Sequence, residues 1–522
     1  MPTAAGASRK DVSLPTRLLA LAVGVVCVAP FGWLVLRALE TGPGAWRRLF
    51  TPRTFELLLN TLGLTSAVTV GCILVALPAA WLTARTALPF RRMWTVLLCL
   101  PLAVPTYVMA YVLLAAFGYG GAVDVGLPVY GFPGATLALV LSTFPYVFLP
   151  TRAALLRMDP SLEEAARTLG ASGRRAFFRV TVPLLRPALA SGSLLVALYA
   201  LSDFGSVSLL QFDVFARAIY VQFEGAFDRA FAAVLSLALS AVALGVLFIG
   251  ARVRGGGKLH RAGLGASRVA KPVRLGGWTV PALLFLTVVV LASVGLPVLV
   301  VFGWLFARAE ELAAAAAQAL VWPALRTVFV SALAAVVTAL AAVPVALIAA
   351  RRRTWWGTVV ERAAYLGYAL PPLVLGLSLV FLGLGAVPVL YGTLAMLVLG
   401  YAVRFLSQSV GSTESALRQV PAHLEEAAAT LGAGRWRTFR AVTFPLVRPG
   451  VLAGAALVML SAMKELPITL LLAPLGYSTL ATGVWSAAAE GRFGEAALPS
   501  LALLVVSGVS VALVLWQEEA RS

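Results

Sequence analysis

One stretch of this chain occurs twice. Glu163 to Pro187 reads EEAARTLGASGRRAFFRVTVPLLRP, and Glu425 to Pro449 reads EEAAATLGAGRWRTFRAVTFPLVRP, 262 residues later. The copies share the acidic pair, two alanines, Thr-Leu-Gly, a phenylalanine (Phe177, Phe439), Val-Thr-x-Pro and Arg-Pro. A repeat of that length at one offset makes the chain two homologous halves, and it constrains the fold before any local feature does. Each half then carries one polar, basic insert between apolar stretches.

The insert has helix punctuation. Asp159 and Ser161 are suited to capping a helix start, Pro160 fits its first turn, and Glu163 and Glu164 lie where the helix dipole favours negative charge. Gly170 and Gly173 are expected to stop this helix. A second short amphipathic helix is expected from Arg174 to about Thr181, closed by Pro183 and Pro187. The other copy repeats the logic with Gly432, Gly434, Trp436, Phe439, Pro445 and Pro449. The two inserts, residues 159–187 and 421–449, are expected to be helix–turn–helix knobs at a membrane surface.

The rest of the chain supplies the membrane. Hydrophobic residues make up 60% and charged residues 12%, so a soluble globular domain is excluded. Apolar runs near the length a bilayer requires predict twelve spans, at about 18–36, 61–83, 94–117, 135–154, 189–210 and 230–251, then 277–305, 327–350, 363–384, 391–409, 450–473 and 497–516. The first run lacks a small-residue cleavage site and is expected to stay as a helix. Arg252 to Gly276, glycine-rich and basic, is a flexible linker by composition. The expected organisation is residues 1–251, linker 252–276 and residues 277–522. Pro78, Arg85 and Pro105 match Pro344, Arg351 and Pro371 at an offset of 266. Six spans per half is an even number, so the repeats are parallel.

The net charge of +19 has a membrane explanation as well. With the N-terminus inside, about 31 Lys and Arg fall in inner segments and about 9 in outer ones, which places both knobs and both termini in the cytoplasm. Nucleic acid is therefore not an expected partner; the lipid bilayer is. Cys27, Cys72 and Cys99 all lie in apolar runs and form no disulfide framework. His260 and His423 are the two histidines, both in polar loops, so no histidine-based site lies within the membrane.

Glu-Ala-Ala, then Gly, then Pro at this spacing resembles the EAA loop of inner-membrane permeases of binding-protein-dependent ATP-binding-cassette importers. The resemblance implies an all-α integral membrane protein of the type I importer permease fold. It also implies that the two loops dock on ATPase subunits, through Glu163, Glu164, Ala165, Ala166 and Gly170 in one and Glu425, Glu426, Ala427, Ala428 and Gly432 in the other. Two ATPase copies and an extracytoplasmic solute-binding protein are the implied partners. The segments ALSDFGSVSLL and KELPITLLL are similar to those of fused ferric iron permeases. Fused thiamine permeases share the layout, and polyamine and oxyanion permeases share the knob.

What is missing agrees with that division of labour. The lysines are Lys10, Lys258, Lys271 and Lys464, and none sits in a GxxxxGK[ST] phosphate loop; Gly257-Lys258 is followed by Leu259, and Arg252 stands at the first glycine position. ATP hydrolysis then belongs to another polypeptide. No enzyme site and no cofactor is expected.

Charged residues inside spans are costly and therefore informative. Asp203 and Glu465 are repeat mates, each 16 residues past its knob's last proline, or about 24 Å along a helix. Gly205 and Pro467 follow two residues on and predict a helix break. A path-lining role is expected for Asp203, Glu465, Lys464 and Tyr199, with the two carboxylates as transient ligands for a hard cation and Tyr107 and Tyr111 nearby. A structural role stands beside it: Asp203 capping the broken helix and Lys464 pairing with Glu465 or another carboxylate. Asn60, Arg326 and Tyr146 are expected to be interfacial anchors or packing residues. A twelve-helix secondary transporter is the rival class; its basic signature between spans two and three of each half is replaced here by a knob between spans four and five.

Overall fold

In lipid a backbone amide finds no water, so an apolar stretch of this chain must bond its own amides as a helix. The computed structural model describes residues 13–119, 121–122, 129–226, 228–255, 272–307, 320–351 and 354–519, and those residues are helical almost throughout. The first half gives α1 (Leu14–Glu40), α2 (Pro52–Arg85), α3 (Arg91–Cys99), α4 (Thr106–Phe117), α5 (Phe132–Thr143), α6 (Pro145–Arg157), α7 (Ser161–Thr168), α8 (Val182–Ser202), α9 (Gly205–Leu209), α10 (Phe215–Tyr220) and α11 (Arg229–Gly255). The second gives α12 (Thr279–Val290), α13 (Leu296–Ala307), α14 (Trp322–Arg351), α15 (Trp355–Ala369), α16 (Pro372–Gly385), α17 (Leu394–Gln419), α18 (Ala422–Thr430), α19 (Phe444–Met463), α20 (Pro467–Leu472), α21 (Leu480–Ala489) and α22 (Phe493–Glu519). Among the described residues eight helices are long and apolar enough to cross a membrane, or eleven when each of three bent pairs is one span. The twelfth expected span falls on α22, whose described apolar stretch is Phe493–Val509.

The bends sit where the aligned prolines are. The axis turns by 91° before α4, at Pro105, and by 109° between α15 and α16, at Pro371. A residue before proline is pushed out of the helical region. Val104 (φ −90°, ψ 109°) and Leu370 (φ −79°, ψ 145°) are both extended.

The knob prolines behave differently from expectation. Pro183 and Pro187 lie inside a helical run, Gly173–Ser202, and do not close it. A π turn, Phe177–Thr181, precedes Pro183, and Phe439–Thr443 precedes Pro445 in the other half. Pro183, in the first turn of α8, forfeits an amide that has little use there, and Pro187 lies within α8 without ending it. Gly173 begins the second helical segment instead of ending the first.

The described chain forms two compact units, and they are not the two sequence halves. One unit takes residues 1–46, 229–237 and 317–482; the other takes 47–228, 238–316 and 483–522. In the first, α14, α17 and α19 pack as a trio, and α1 lies against α14, α15 and α16. In the second, α2, α6 and α8 form the matching trio, α12 lies against α2 and α3, α13 against α4, and α22 against α4 and α13. The leading helix of each half has thus gone to the core built by the other half.

Helix contact inside each trio depends on small residues at matched positions. A Cβ on Gly192 would stand 2.7 Å from the Val147 Cα, and one on Gly454 2.9 Å from the Ser409 Cα. Backbones approach this closely in membranes because dispersion and helix–helix contact, with no hydrophobic drive, hold spans together.

Of the linker, residues 256–271, including His260, lie outside the described residues. Its C-terminal end returns to the first half. The Val273 amide donates to the Arg85 carbonyl at 2.8 Å and the Ala87 amide to the Val273 carbonyl at 2.9 Å, a parallel bridge between Thr86 and Val273.

Candidate functional site

The knobs are built the same way twice. In the first, the Ser161 amide donates to the Asp159 carboxylate at 2.9 Å, and α7 ends on Gly170 at φ +87°. The Ala171 amide reaches back to the Ala166 carbonyl and the Gly170 amide to Arg167, both at 3.0 Å. In the second, Gly432 at φ +79° repeats the stop, with Ala433 to Ala428 and Gly432 to Ala429 at 3.0 Å. A residue with a Cβ adopts that left-handed turn at a cost, which is why glycine ends both helices.

Within each acidic pair the two carboxylates have different tasks. Glu163 is half-buried and accepts from the Thr181 hydroxyl at 3.3 Å and from Arg167 at 3.1 Å. Glu425, equally half-buried, accepts from the Thr443 hydroxyl at 2.6 Å. Each therefore ties the acidic helix to the start of the span that follows it. Glu164 and Glu426 are exposed, as are Ala165 and Ala427, while Ala166 and Ala428 are half-buried. Leu169 and Leu431, just before the stopping glycines, are 88% and 87% exposed. Each knob presents one free-standing carboxylate, small residues and a bare leucine on one short helix, the makings of a protein-docking surface. The leucines were absent from the sequence expectation; their position at the end of an amphipathic helix, off its inward face, is the signal.

The other expected site lies where α8 and α19 break. Asp203 ends α8 and is buried, and both its oxygens are engaged. It accepts from the Thr106 hydroxyl at 2.5 Å, from the Ser206 amide at 3.0 Å and hydroxyl, and from the Val207 amide at 3.4 Å. It caps α9 and holds the start of α4 to it. In the other half, Lys464 ends α19 and α20 begins at Pro467, so Glu465 stands in the break. Thr469 donates to the Glu465 carbonyl at 2.5 Å and shares a 2.6 Å hydrogen bond with the Tyr401 hydroxyl. The Glu465 Oε1 is buried with no hydrogen-bond partner.

Tyr199 lies on α8, ring to ring with Tyr146 at 6.0 Å. Tyr111 is buried, and its hydroxyl donates to the Phe493 carbonyl at 2.9 Å. Asn60 donates to the Asp213 carbonyl at 3.0 Å, and its repeat mate Arg326 donates to the Gly476 carbonyl at 2.9 Å. Both hold the loop that follows the broken span. No three His, Cys, Asp or Glu side chains gather into a metal-binding group among the described residues.

Sequence reasoning missed Arg404. It lies in α17, and one of its terminal nitrogens donates to the carbonyls of Gly367, Tyr368 and Leu370 at 3.0, 3.0 and 2.7 Å. These carbonyls are the orphan end of α15 at its 109° bend, and the guanidinium satisfies them. A lone arginine inside an otherwise apolar span was the available signal.

The family model for binding-protein-dependent transport system inner membrane components matches residues 57–253 and 342–520, one knob in each stretch. The chain belongs to this family. It is 32% identical over 500 residues, 95% of this chain and 97% of the other, to the Fe(3+)-transport system permease protein FbpB 2 of Haemophilus influenzae. It is 26% identical over 472 residues, 86% of this chain and 69% of the other, to the ferric transport system permease protein FbpB of Actinobacillus pleuropneumoniae. Similarity also extends to the spermidine/putrescine transport system permease protein PotB of Escherichia coli, 30% identical over 215 residues, 38% of this chain and 77% of the other. The chain is thus a permease subunit of the inner membrane, a transport component and not an enzyme. An ATPase and a solute-binding protein are its partners in transport.

Proposed function

We propose that this permease carries ferric iron across the inner membrane, receiving it from a solute-binding protein and driven by two copies of a separate ATPase, one on each knob. The two knobs support the copy number: each has an inward glutamate tied to the following span and an outward carboxylate beside an exposed leucine. Near-full-length similarity to two ferric permeases supports the cargo. In this reading residues 1–251 and 277–522 are the two permease halves, 252–276 is a cytoplasmic linker, and both termini face the cytoplasm, as the basic excess requires. ATP binding draws the ATPase subunits together. The knobs follow, and because Thr181 and Thr443 bind each knob to α8 and α19, the broken spans move with them. The halves rock from inward-open to outward-open, and hydrolysis resets them. Asp203, Glu465, Lys464 and Tyr199 stand on those moving spans or in their breaks.

The test is ATP-dependent accumulation of radiolabelled ferric iron by vesicles holding the permease, its ATPase and its binding protein. Accumulation that needs all three supports the reading; accumulation of spermidine in place of iron moves the assignment to the polyamine class that PotB represents. Uptake that survives without ATP and collapses with the proton gradient rejects it.

A further inference from the structure

Asp203 and Glu465 are equivalent in sequence, yet both oxygens of the first are engaged and one oxygen of the second is not. Four donors saturate Asp203: two hydroxyls and two amides. Such a carboxylate offers nothing to a passing solute without losing a bond it already has. Glu465 is one methylene longer, and the Ile468 amide, at the repeat position of Ser206, is its backbone donor, while Ile468 has no hydroxyl to match that of Ser206. Its Oε1 stays buried and unbonded, with the charges of Arg404 and Lys464 acting on the carboxylate.

The surroundings make that open oxygen more telling. Tyr401 and Arg404 are three residues apart on α17 and so share a face, and Tyr401 meets the Glu465 turn through Thr469. Arg404 therefore lies near Glu465; one of its terminal nitrogens is spent on three carbonyls, and its Nε is buried and unbonded. The repeat position of Arg404 in the first half is Ser142, a buried neutral side chain. A buried carboxylate oxygen that makes no hydrogen bond is expensive to keep unless something comes to it.

We propose that Glu465, and not Asp203, is the acidic group that meets the cargo, binding a hard cation through its free oxygen, so that the second half alone carries this contact. Asp203 is a structural cap. The proposal rests on the cationic cargo assigned above. A carboxylate oxygen is the ligand a hard cation prefers, and one such ligand holds it weakly enough for onward passage.

The experiment uses the complete importer in vesicles, with radiolabelled ferric iron as the probe and the thermal midpoint of the purified permease–ATPase complex as a second readout. Glu465→Gln is expected to cut the uptake rate about tenfold or more, with the midpoint unchanged and nucleotide hydrolysis intact. Glu465→Asp is expected to recover part of that rate. Asp203→Asn is expected to lower the midpoint by several degrees while uptake per folded complex stays within about twofold. Full uptake by Glu465→Gln overturns the proposal. So does a Glu465→Gln defect that Arg404→Gln repairs, because a water-bridged structural ion pair would behave that way. If the wild type ignores ferric iron and accumulates spermidine, the iron reading fails separately; loss of spermidine uptake in Glu465→Gln then supports the carboxylate's role, and its retention rejects it.

Discussion

The Thr443 hydroxyl donates to the Glu425 carboxylate at 2.6 Å, across the turn that separates the acidic helix of the second knob from its span. Thr181 and Glu163 repeat the contact at 3.3 Å. Both threonines are buried and both glutamates half-buried, so the pair acts as a hinge pin. Removing it with Thr443→Val or Glu425→Gln should loosen the knob locally. A double-mutant cycle is expected to give a coupling of about 1 kcal/mol, read from hydrogen exchange of the α18 amides. Additive single effects would show that the contact transmits nothing.

The outward carboxylates should behave differently. Glu164→Lys and Glu426→Lys leave the pins in place and reverse the charge on the exposed face. Each is expected to weaken capture of the ATPase about tenfold, and the pair to abolish ATP-driven uptake, with no change in thermal midpoint. Co-purification of the ATPase with each variant measures this. Normal uptake by the double variant would remove the knobs from the coupling route.

Close helix contact predicts which glycines are intolerant. Gly192→Ala and Gly454→Ala place a methyl 2.7 and 2.9 Å from a neighbouring Cα, where backbone has to shift. A loss of about 1–3 kcal/mol each is expected, seen as a lowered midpoint in detergent. Gly63→Ala, with nothing within 4 Å of the added carbon, is the control and should match the wild type.

The linker bridge gives a backbone test. Val273→Pro deletes the amide that reaches Arg85 at 2.8 Å, whereas Val273→Ala keeps it. Proline is expected to release the protection of the Ala87 amide against hydrogen exchange by about tenfold or more, and alanine to leave it unchanged. Equal exchange in both variants would mean the bridge does not persist in solution.

Much of this was legible in residues close together along the chain. The repeat gave the two knobs, Gly170 and Gly432 gave their stops, and the aligned Pro105 and Pro371 marked the two sharp bends. Gly205 and Pro467 marked the breaks beside Asp203 and Glu465. Each of these is a matter of backbone conformation at one or two residues, and local sequence decides such matters. Pro183 misled because a π turn ends just before it and no residue type announces that turn, and Pro187 because it sits within the helix it was expected to close.

Which apolar helix packs on which core was decided only by the tertiary structure, as was the fate of matched side chains. α1 settles on α14, α15 and α16, and α12 and α13 on α2, α3 and α4, although nothing in their hydropathy distinguishes a lipid-facing stripe from a helix-facing one. Asp203 and Glu465 look alike in sequence and differ because Thr106 and Ser206 reach one carboxylate while Arg404 turns to three carbonyls beside the other. Hydropathy and turn propensity act over a few residues and fix where the chain enters, bends and leaves the membrane; hydrogen bonds between distant spans depend on distances that only the packed helices define.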